Sequence, residues 1–195
     1  MDFAPDARRY ALPLLVLAVP TTLLFLPVGA ALGALAAAVL WFSRDPERTP
    51  PSEGVLAPAD GRVSVIREDG DRLRVGVFMN VTDVHVNRAP LSGTVREVIH
   101  DAGAHRPAFS KDSDRNERVT VACDNFDVVL ISGWFARRIT PYVSPGDDLS
   151  RGQRVGHISF GSRADVLCPP AVSREDLAVS EGETVRAGET VIARL

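Results

Sequence analysis

"VSPGDDLSRGQRVGHI", residues 143–158, and "VSEGETVRAGETVIAR", residues 179–194, are two copies of one pattern set 36 residues apart. Val143 matches Val179, Gly146 matches Gly182, Leu149 matches Val185, Gly152 matches Gly188 and Val155 matches Val191. Each copy sets two glycines around a short apolar step. Glycine at such points supplies the positive φ that tight turns demand and that other residues reach only with strain. The repeat is therefore architecture, a pair of equivalent turn-rich hairpins.

Outward from the repeat, the chain beyond residue 50 is a series of short β-like runs divided by turn signals. They are "GRVSVI" (61–66), "DRLRVGVFM" (71–79), "GTVREVI" (93–99), "RVTVAC" (118–123) and "FDVVLISGWF" (126–135). Strands at that spacing with almost no helical periodicity predict an all-β sandwich or barrel. The V-x-x-G-x-x-[LV]-x-x-G-x-x-V pattern resembles the hammerhead hairpin of lipoyl- and biotinyl-type domains, and "GVLAPADGRVSVI" (54–66) resembles their opening strand. The predicted fold is mainly β, a lipoyl/biotinyl-like β-sandwich (barrel-sandwich hybrid). A swinging-arm carrier needs a lysine at a hairpin tip. The single lysine, Lys111, lies in a charged loop outside either copy, which argues against that role.

The N-terminus differs in kind. No charged residue occurs from Tyr10 to Phe42, a run longer than the roughly 20 residues that span a bilayer. It also outruns the apolar core of a signal peptide. Pro20 and Pro27 divide it into Ala11–Val19 and Ala30–Phe42, giving one kinked helix or a short helical hairpin. Arg8 and Arg9 precede the run and Arg44 and Arg48 follow it, a symmetry that favours a hairpin with both ends on the cytoplasmic face. The expected organisation is a membrane-associated segment 1–42, a Pro-rich linker 43–53 and a β domain 54–195.

A net charge of −3 and a pI near 5.8 provide no basic field for phosphate backbones, so no nucleic-acid partner is expected. Cys123 and Cys168 form no CxxC and read as buried small hydrophobes. His100, His105 and His157 lack evident partners and no metal site is expected. In "NVTDVHVNRAP" (80–90), Asp83, His85 and Asn87 would share one face of a strand. Ser162, in "FGSRADV", is by itself a turn serine: it has no Gly-x-Ser-x-Gly elbow and no following helix.

"PADGRV", "DVHVNRAP", "NER" at 116–118, "ISGWFARRI" at 131–139 and "GDDLSRGQRVGHISFGSRADV" at 146–166 occur in that order before the closing hairpin. In order and wording they resemble the short, archaeal and bacterial class of phosphatidylserine decarboxylase proenzymes, from Gly54 to Leu195. The resemblance implies self-cleavage between Gly161 and Ser162. The Ser162 hydroxyl attacks the preceding carbonyl, the amide becomes an ester, and elimination and hydrolysis leave a pyruvoyl group. Fragments 1–161 and 162–195 then stay together as a heterodimer. It further implies a Schiff base between that group and the amine of a serine headgroup, loss of carbon dioxide, and release of the ethanolamine lipid. The substrate is phosphatidylserine or, in archaea, archaetidylserine.

By the same resemblance Asp60 and His85 are the candidate orienting acid and base. The longer members read H-x-x-H-x-P, whereas here Arg88 stands where the second histidine falls; the cleavage base is His85, or Arg88 contributes electrostatically. Arg88, Arg137, Arg138 and Arg163 are candidates for pairing with lipid phosphate or carboxylate. The rival reading is a non-catalytic, membrane-anchored lipoyl-like binding or assembly module.

Overall fold

The computed structural model describes residues 2–5, 7–103, 116–133, 139–158 and 162–195. They divide into two compact units, Met1–Glu47 and Arg48–Leu195.

In the first unit, strand β1 (Asp2–Phe3) pairs antiparallel with β2 (Arg44–Asp45), and helices α1 (Ala7–Leu24) and α2 (Leu26–Phe42) lie between them in sequence. The helices pack on each other closely enough that a Cβ on Gly29 would collide with Thr22. With its two ends paired, the apolar stretch is a helical hairpin. The prolines do not divide it as their positions predict. Pro20 lies inside α1, and Pro27 falls in the first turn of α2, where the missing N–H has no helical acceptor to lose. The break is at Phe25, in extended conformation. Leu15, Val16, Val19, Leu23, Leu24 and Leu35 are exposed, and α1 is long and apolar enough to cross a membrane.

The second unit is mainly β. In chain order its strands are β3 (Val55–Leu56), β4 (Gly61–Asp69), β5 (Arg72–Phe78), β6 (Val86–Arg88), β7 (Gly93–Asp101), β8 (Arg118–Cys123), β9 (Asp127–Ile131), β10 (Ile139–Pro141), β11 (Asp148–Leu149), β12 (Arg154–Ile158), β13 (Arg163–Leu167), β14 (Thr184–Val185) and β15 (Val191–Ala193). An eight-stranded sheet runs β11-β7-β8-β9-β13-β5-β4-β14, beside a three-stranded sheet β10-β12-β6 and the pair β15-β3. Period-2 alternation builds it: in β8, Val119, Val121 and Cys123 are buried while Arg118 and Thr120 turn away. The core gathers Val75, Val77, Val121, Leu130, Ile158 and Val166, all fully buried. Each such side chain contributes about 1.5–3 kcal/mol relative to exposure.

The two copies of the repeat adopt equivalent turns but not the expected hairpins, because their strands pair outward: β11 with β7 and β12 with β6 and β10 in one copy, β14 with β4 and β15 with β3 in the other. Gly146, Gly152, Gly182 and Gly188 have φ of 94°, 74°, 90° and 70°. Gly146 N–H donates to Val95 O at 2.8 Å and Gly182 N–H to Val63 O at 2.7 Å. Gly152 N–H donates to Ala89 O and Gly188 N–H to Ala57 O, both at 2.9 Å. The acceptors belong to a second internal likeness, "APADGRV" (57–63) against "APLSGTV" (89–95). The two lobes interlock, since Arg88 N–H donates to Pro58 O at 2.9 Å and Leu56 N–H to Pro90 O at 3.0 Å.

The segment 80–90 departs from its expected alternation. Strand β6 covers only Val86–Arg88, because Asp83 instead closes a turn, its carboxylate accepting Asn80 N–H at 2.7 Å. His100 lies in β7 and pairs with Glu117 at 2.8 Å, so it is neither in a loop nor without a partner.

Candidate active site

Ser162 is the residue immediately before β13, the strand held between β5 and β9 in the middle of the large sheet. Arg163 stands opposite Phe78 on one side and Ile131 on the other. The ladder continues one step further, where Met79 N–H donates to Ser162 O at 2.8 Å. Ser132 occupies the corresponding next position beyond β9. Ala164 and Val166 face the core from β13, so Ser162, two residues before Ala164, faces it too. Its side chain is fully buried, and its hydroxyl reaches the Met79 thioether at 4.0 Å, a weak acceptor.

His85 comes to the same end of the molecule through β6. Val86 pairs with His157 of β12, and Ile158 N–H reaches His85 O at 3.4 Å. Strand β12 therefore ends beside His85, four residues before Ser162. His85 is fully buried, with Nδ1 2.9 Å from Asp83 O. A carbonyl accepts only, so Nδ1 carries a proton, and in the neutral ring Nε2 is then the lone-pair nitrogen that a general base uses.

Asn87 follows on the same strand and was noted in the sequence only as a neighbour of His85. It is fully buried, and its Nδ2 reaches the Met79 sulfur at 3.5 Å. Its Oδ1 has no hydrogen-bond partner, and neither has the hydroxyl of the fully buried Ser132. Asn116 Nδ2 holds the Ser132 carbonyl at 2.8 Å and fixes the backbone there. Sequence patterning singles out neither Asn87 nor Ser132. The signal is a buried polar atom left unsatisfied beside Ser162, visible only once the strands are assembled.

Asp60 is placed in the turn ahead of β4. Arg48 Nη2 reaches its two oxygens at 3.0 and 2.8 Å, and Ala187 N–H donates to Oδ1 at 2.8 Å. In the other lobe Ser92 takes the equivalent N–H, that of Arg151, at 3.1 Å. Asp60 thus caps a turn, and it also anchors Arg48, whose Nη1 binds Glu189 at 2.9 Å. That bond, with Arg48's charge, holds the Glu189 carboxyl below its ordinary range.

Among the candidate arginines, Arg88 is buried, donates to Gly152 O at 3.0 Å and lies against the Gly188 turn. Arg163 is buried and grips Asp165 through Nε at 2.7 Å and Nη2 at 3.0 Å. Asp165 also binds Arg74 at 2.8 Å, and Arg74 bonds Asp69 at 2.8 Å. Gly76, opposite Asp165, makes room: a Cβ there would begin 2.6 Å from Asp165 Oδ1. Gly161, Arg137, Arg138, Lys111 and His105 lie outside the described residues. Burial pushes the thiol of Cys123 up to about 11 and that of Cys168 up to about 12, so neither serves as a nucleophile.

The family model for phosphatidylserine decarboxylase matches residues 35–193. The chain is 59% identical over 191 residues to a Halobacterium salinarum protein named "Putative archaetidylserine decarboxylase proenzyme", covering 97% of each chain. It is 46% identical over 183 residues to the phosphatidylserine decarboxylase proenzyme of Streptomyces griseus, covering 91% of this chain and 78% of that one. With the Thermobifida fusca phosphatidylserine decarboxylase proenzyme it shares 48% over 166 residues, 83% of this chain and 75% of the relative. A family model matched over most of the chain and relatives at this degree of identity show that the chain belongs to the phosphatidylserine decarboxylase family and is a decarboxylase.

Proposed function

We propose that the protein is a self-processing, pyruvoyl-dependent decarboxylase. Its substrate is a membrane phospholipid with a serine headgroup, and its products are the ethanolamine lipid and carbon dioxide. The observation that carries the reading is the state of Ser162: fully buried at the head of β13, its carbonyl fixed by Met79 N–H and its hydroxyl engaged only with a thioether among the hydrogen bonds described. A serine serving as a turn residue would bond its own backbone at the surface.

The residues suit cleavage at the Gly161–Ser162 bond. His85 Nε2 takes the hydroxyl proton, the oxygen attacks the Gly161 carbonyl, and the amide is exchanged for an ester. Elimination at Ser162 then frees the carboxylate of Gly161 and leaves a dehydroalanine, and addition of one water with release of the Ser162 nitrogen as ammonia yields the pyruvoyl terminus of fragment 162–195. Asp60 acts at a distance. By holding the Pro58–Gly61 turn, whose Pro58 carbonyl accepts Arg88 N–H, it orients the strand that carries His85.

The site fits the pyruvoyl group, since Ser162 occupies a buried position with its carbonyl already held and unsatisfied polar atoms nearby. That group supplies an electron sink, which no ordinary side chain provides. Around it, His85 moves the proton, Met79 and the core exclude water, and the Met79 N–H keeps the Ser162 carbonyl in register. Arg137 and Arg138 remain the candidates for the lipid phosphate, and the two fragments form the working heterodimer. The helical hairpin α1–α2 attaches the enzyme to the cell membrane with the β unit on the cytoplasmic face, which brings it to a substrate that resides in the bilayer.

The test is direct. Full-length protein in detergent receives phosphatidylserine or its ether-linked archaeal counterpart, and carbon dioxide and ethanolamine lipid are measured. Product from at least one lipid, abolished by a carbonyl reagent, supports the reading. Protein that has folded and yet converts neither lipid contradicts it.

A further inference from the structure

The carboxamide of Asn87 and the hydroxyl of Ser132 are buried polar groups with unused hydrogen-bonding capacity at the Ser162 end of the sheet. Asn87 and Ser162 meet through one atom, the Met79 sulfur, at 3.5 and 4.0 Å. Ser132 sits beside Ser162 at the next step of the β9–β13 ladder. Buried polar groups are satisfied nearly everywhere in folded proteins, and leaving one unpaired costs about 1–3 kcal/mol. Apolar residues at 87 and 132 would remove that cost. Two such exceptions around one reactive residue mark the place of a missing partner.

The chemistry of the partner follows from the groups. Both are neutral, both donate and both accept. The serine headgroup offers an amine, a phosphate and a carboxylate. The amine is committed to the carbonyl centre at Ser162, and the phosphate is a phosphodiester monoanion that cationic side chains recognise. The carboxylate is left, attached to the same carbon as the amine and so necessarily close to Ser162. It also loses its charge in the reaction. A cation there would stabilise the starting carboxylate more than the transition state and slow the step, whereas a neutral donor orients it at smaller cost. A carboxylate only accepts, so its donors are the Ser132 hydroxyl and the Asn87 Nδ2 N–H, which the weakly accepting thioether yields readily, while the unpartnered Asn87 Oδ1, itself an acceptor, takes an N–H of the headgroup nitrogen on the same carbon.

We propose that Asn87 and Ser132 bind the carboxylate of the serine headgroup and thereby distinguish substrate from the ethanolamine product. The assignment rests on the decarboxylase reading above. Asn87 and Ser132 are specificity groups, separate from the cleavage machinery of Ser162 and His85.

The test uses the full chain in phosphatidylcholine micelles, as wild type, Ser132→Ala and Asn87→Leu. The probe is a phospholipid with a 3-hydroxypropanoate headgroup, which keeps the carboxylate and lacks the amine, so it binds without reacting; phosphatidylethanolamine is the amine-only control. Binding is measured by equilibrium titration, processing on a denaturing gel, and KM separately from kcat. Each substitution is expected to weaken the carboxylate probe about 10- to 100-fold, the effect of one hydrogen bond to a charged group, and to raise KM for the serine lipid. Binding of the ethanolamine lipid stays within about twofold in Ser132→Ala. Asn87→Leu also melts at a higher temperature, because it removes an unsatisfied buried amide. Ser132→Ala deletes a single hydroxyl and carries the test even if the leucine is not accommodated. Unchanged probe binding in Ser132→Ala overturns the proposal, as does loss of self-cleavage in either folded variant, which would assign these groups to processing. Wild-type protein that neither splits nor decarboxylates sinks the earlier reading instead.

Discussion

The main-chain N–H of Met79 donates to the carbonyl of Ser162 at 2.8 Å, and the two residues fall on opposite sides of the proposed cut. Met79 belongs to fragment 1–161 and Ser162 heads fragment 162–195. The bond uses the Ser162 carbonyl, which cleavage leaves untouched, so the new terminus stays stitched to β5. Strand β13 is paired on both edges, with β5 and with β9, and both partners lie in the large fragment. The fragments are therefore expected to co-elute in size-exclusion chromatography in detergent and to part only in denaturant. A small fragment that elutes alone under native conditions would contradict the shared sheet.

Asp165 is fully buried and carries two arginines, Arg163 and Arg74. Removing the carboxylate takes from Arg163 its two-point partner and from Arg74 one of its two carboxylates, and breaking a buried pair in this way costs roughly 3–5 kcal/mol. Asp165→Asn is expected to lower the melting temperature accordingly. Gly76→Ala places a methyl in the space used by Asp165 Oδ1 and is expected to act in the same direction. A Gly76→Ala protein with wild-type melting would show that the carboxylate does not need the opening.

The two thiols are inert by burial, with pKa values raised to about 11 and about 12. Iodoacetamide at pH 8 is expected to leave both cysteines unmodified in the folded protein, by peptide mass, and to leave decarboxylation unchanged. Alkylation of Cys168 without unfolding would contradict the packing of β13.

Glu189 offers a test of how residues 48–60 are fastened to the second copy of the repeat. Its carboxyl is depressed by the Arg48 hydrogen bond, so its contribution is present above the ordinary glutamate value of 4.5 and is lost as pH falls through the lower folded value. The melting-temperature gap between wild type and Glu189→Gln is expected to be full at pH 7 and to close as pH falls from 4.5 through the lower folded value. A gap independent of pH would show that the Arg48–Glu189 pair contributes nothing.

What the sequence made legible was what local chemistry dictates. Gly146, Gly152, Gly182 and Gly188 announce positive φ because few other residues tolerate it, and all four have it. The alternation of "RVTVAC" announces β8 to the residue. The wording around Ser162 pointed to the family before any geometry. Long-range facts were hidden. That Asp60 shares its capping role with Ser92, or that Arg163 is engaged with Asp165 and Arg74, depends on which lobes interlock and which strands adjoin. The turn at Phe25 shows packing of α1 on α2 deciding the break while Pro20 stays in the helix. Asn87 and Ser132 were illegible for the same reason, since an unsatisfied atom exists only relative to neighbours that folding brings together.

The most direct measurement of the central claim is a denaturing gel with intact mass spectrometry on wild type and Ser162→Ala. The account predicts that wild type resolves into chains of 161 and 34 residues, the smaller blocked at its N-terminus and reactive toward hydrazine, while Ser162→Ala stays whole and releases no carbon dioxide from the serine lipid. A wild-type protein that decarboxylates as one intact chain, or a Ser162→Ala protein that still decarboxylates, would contradict it.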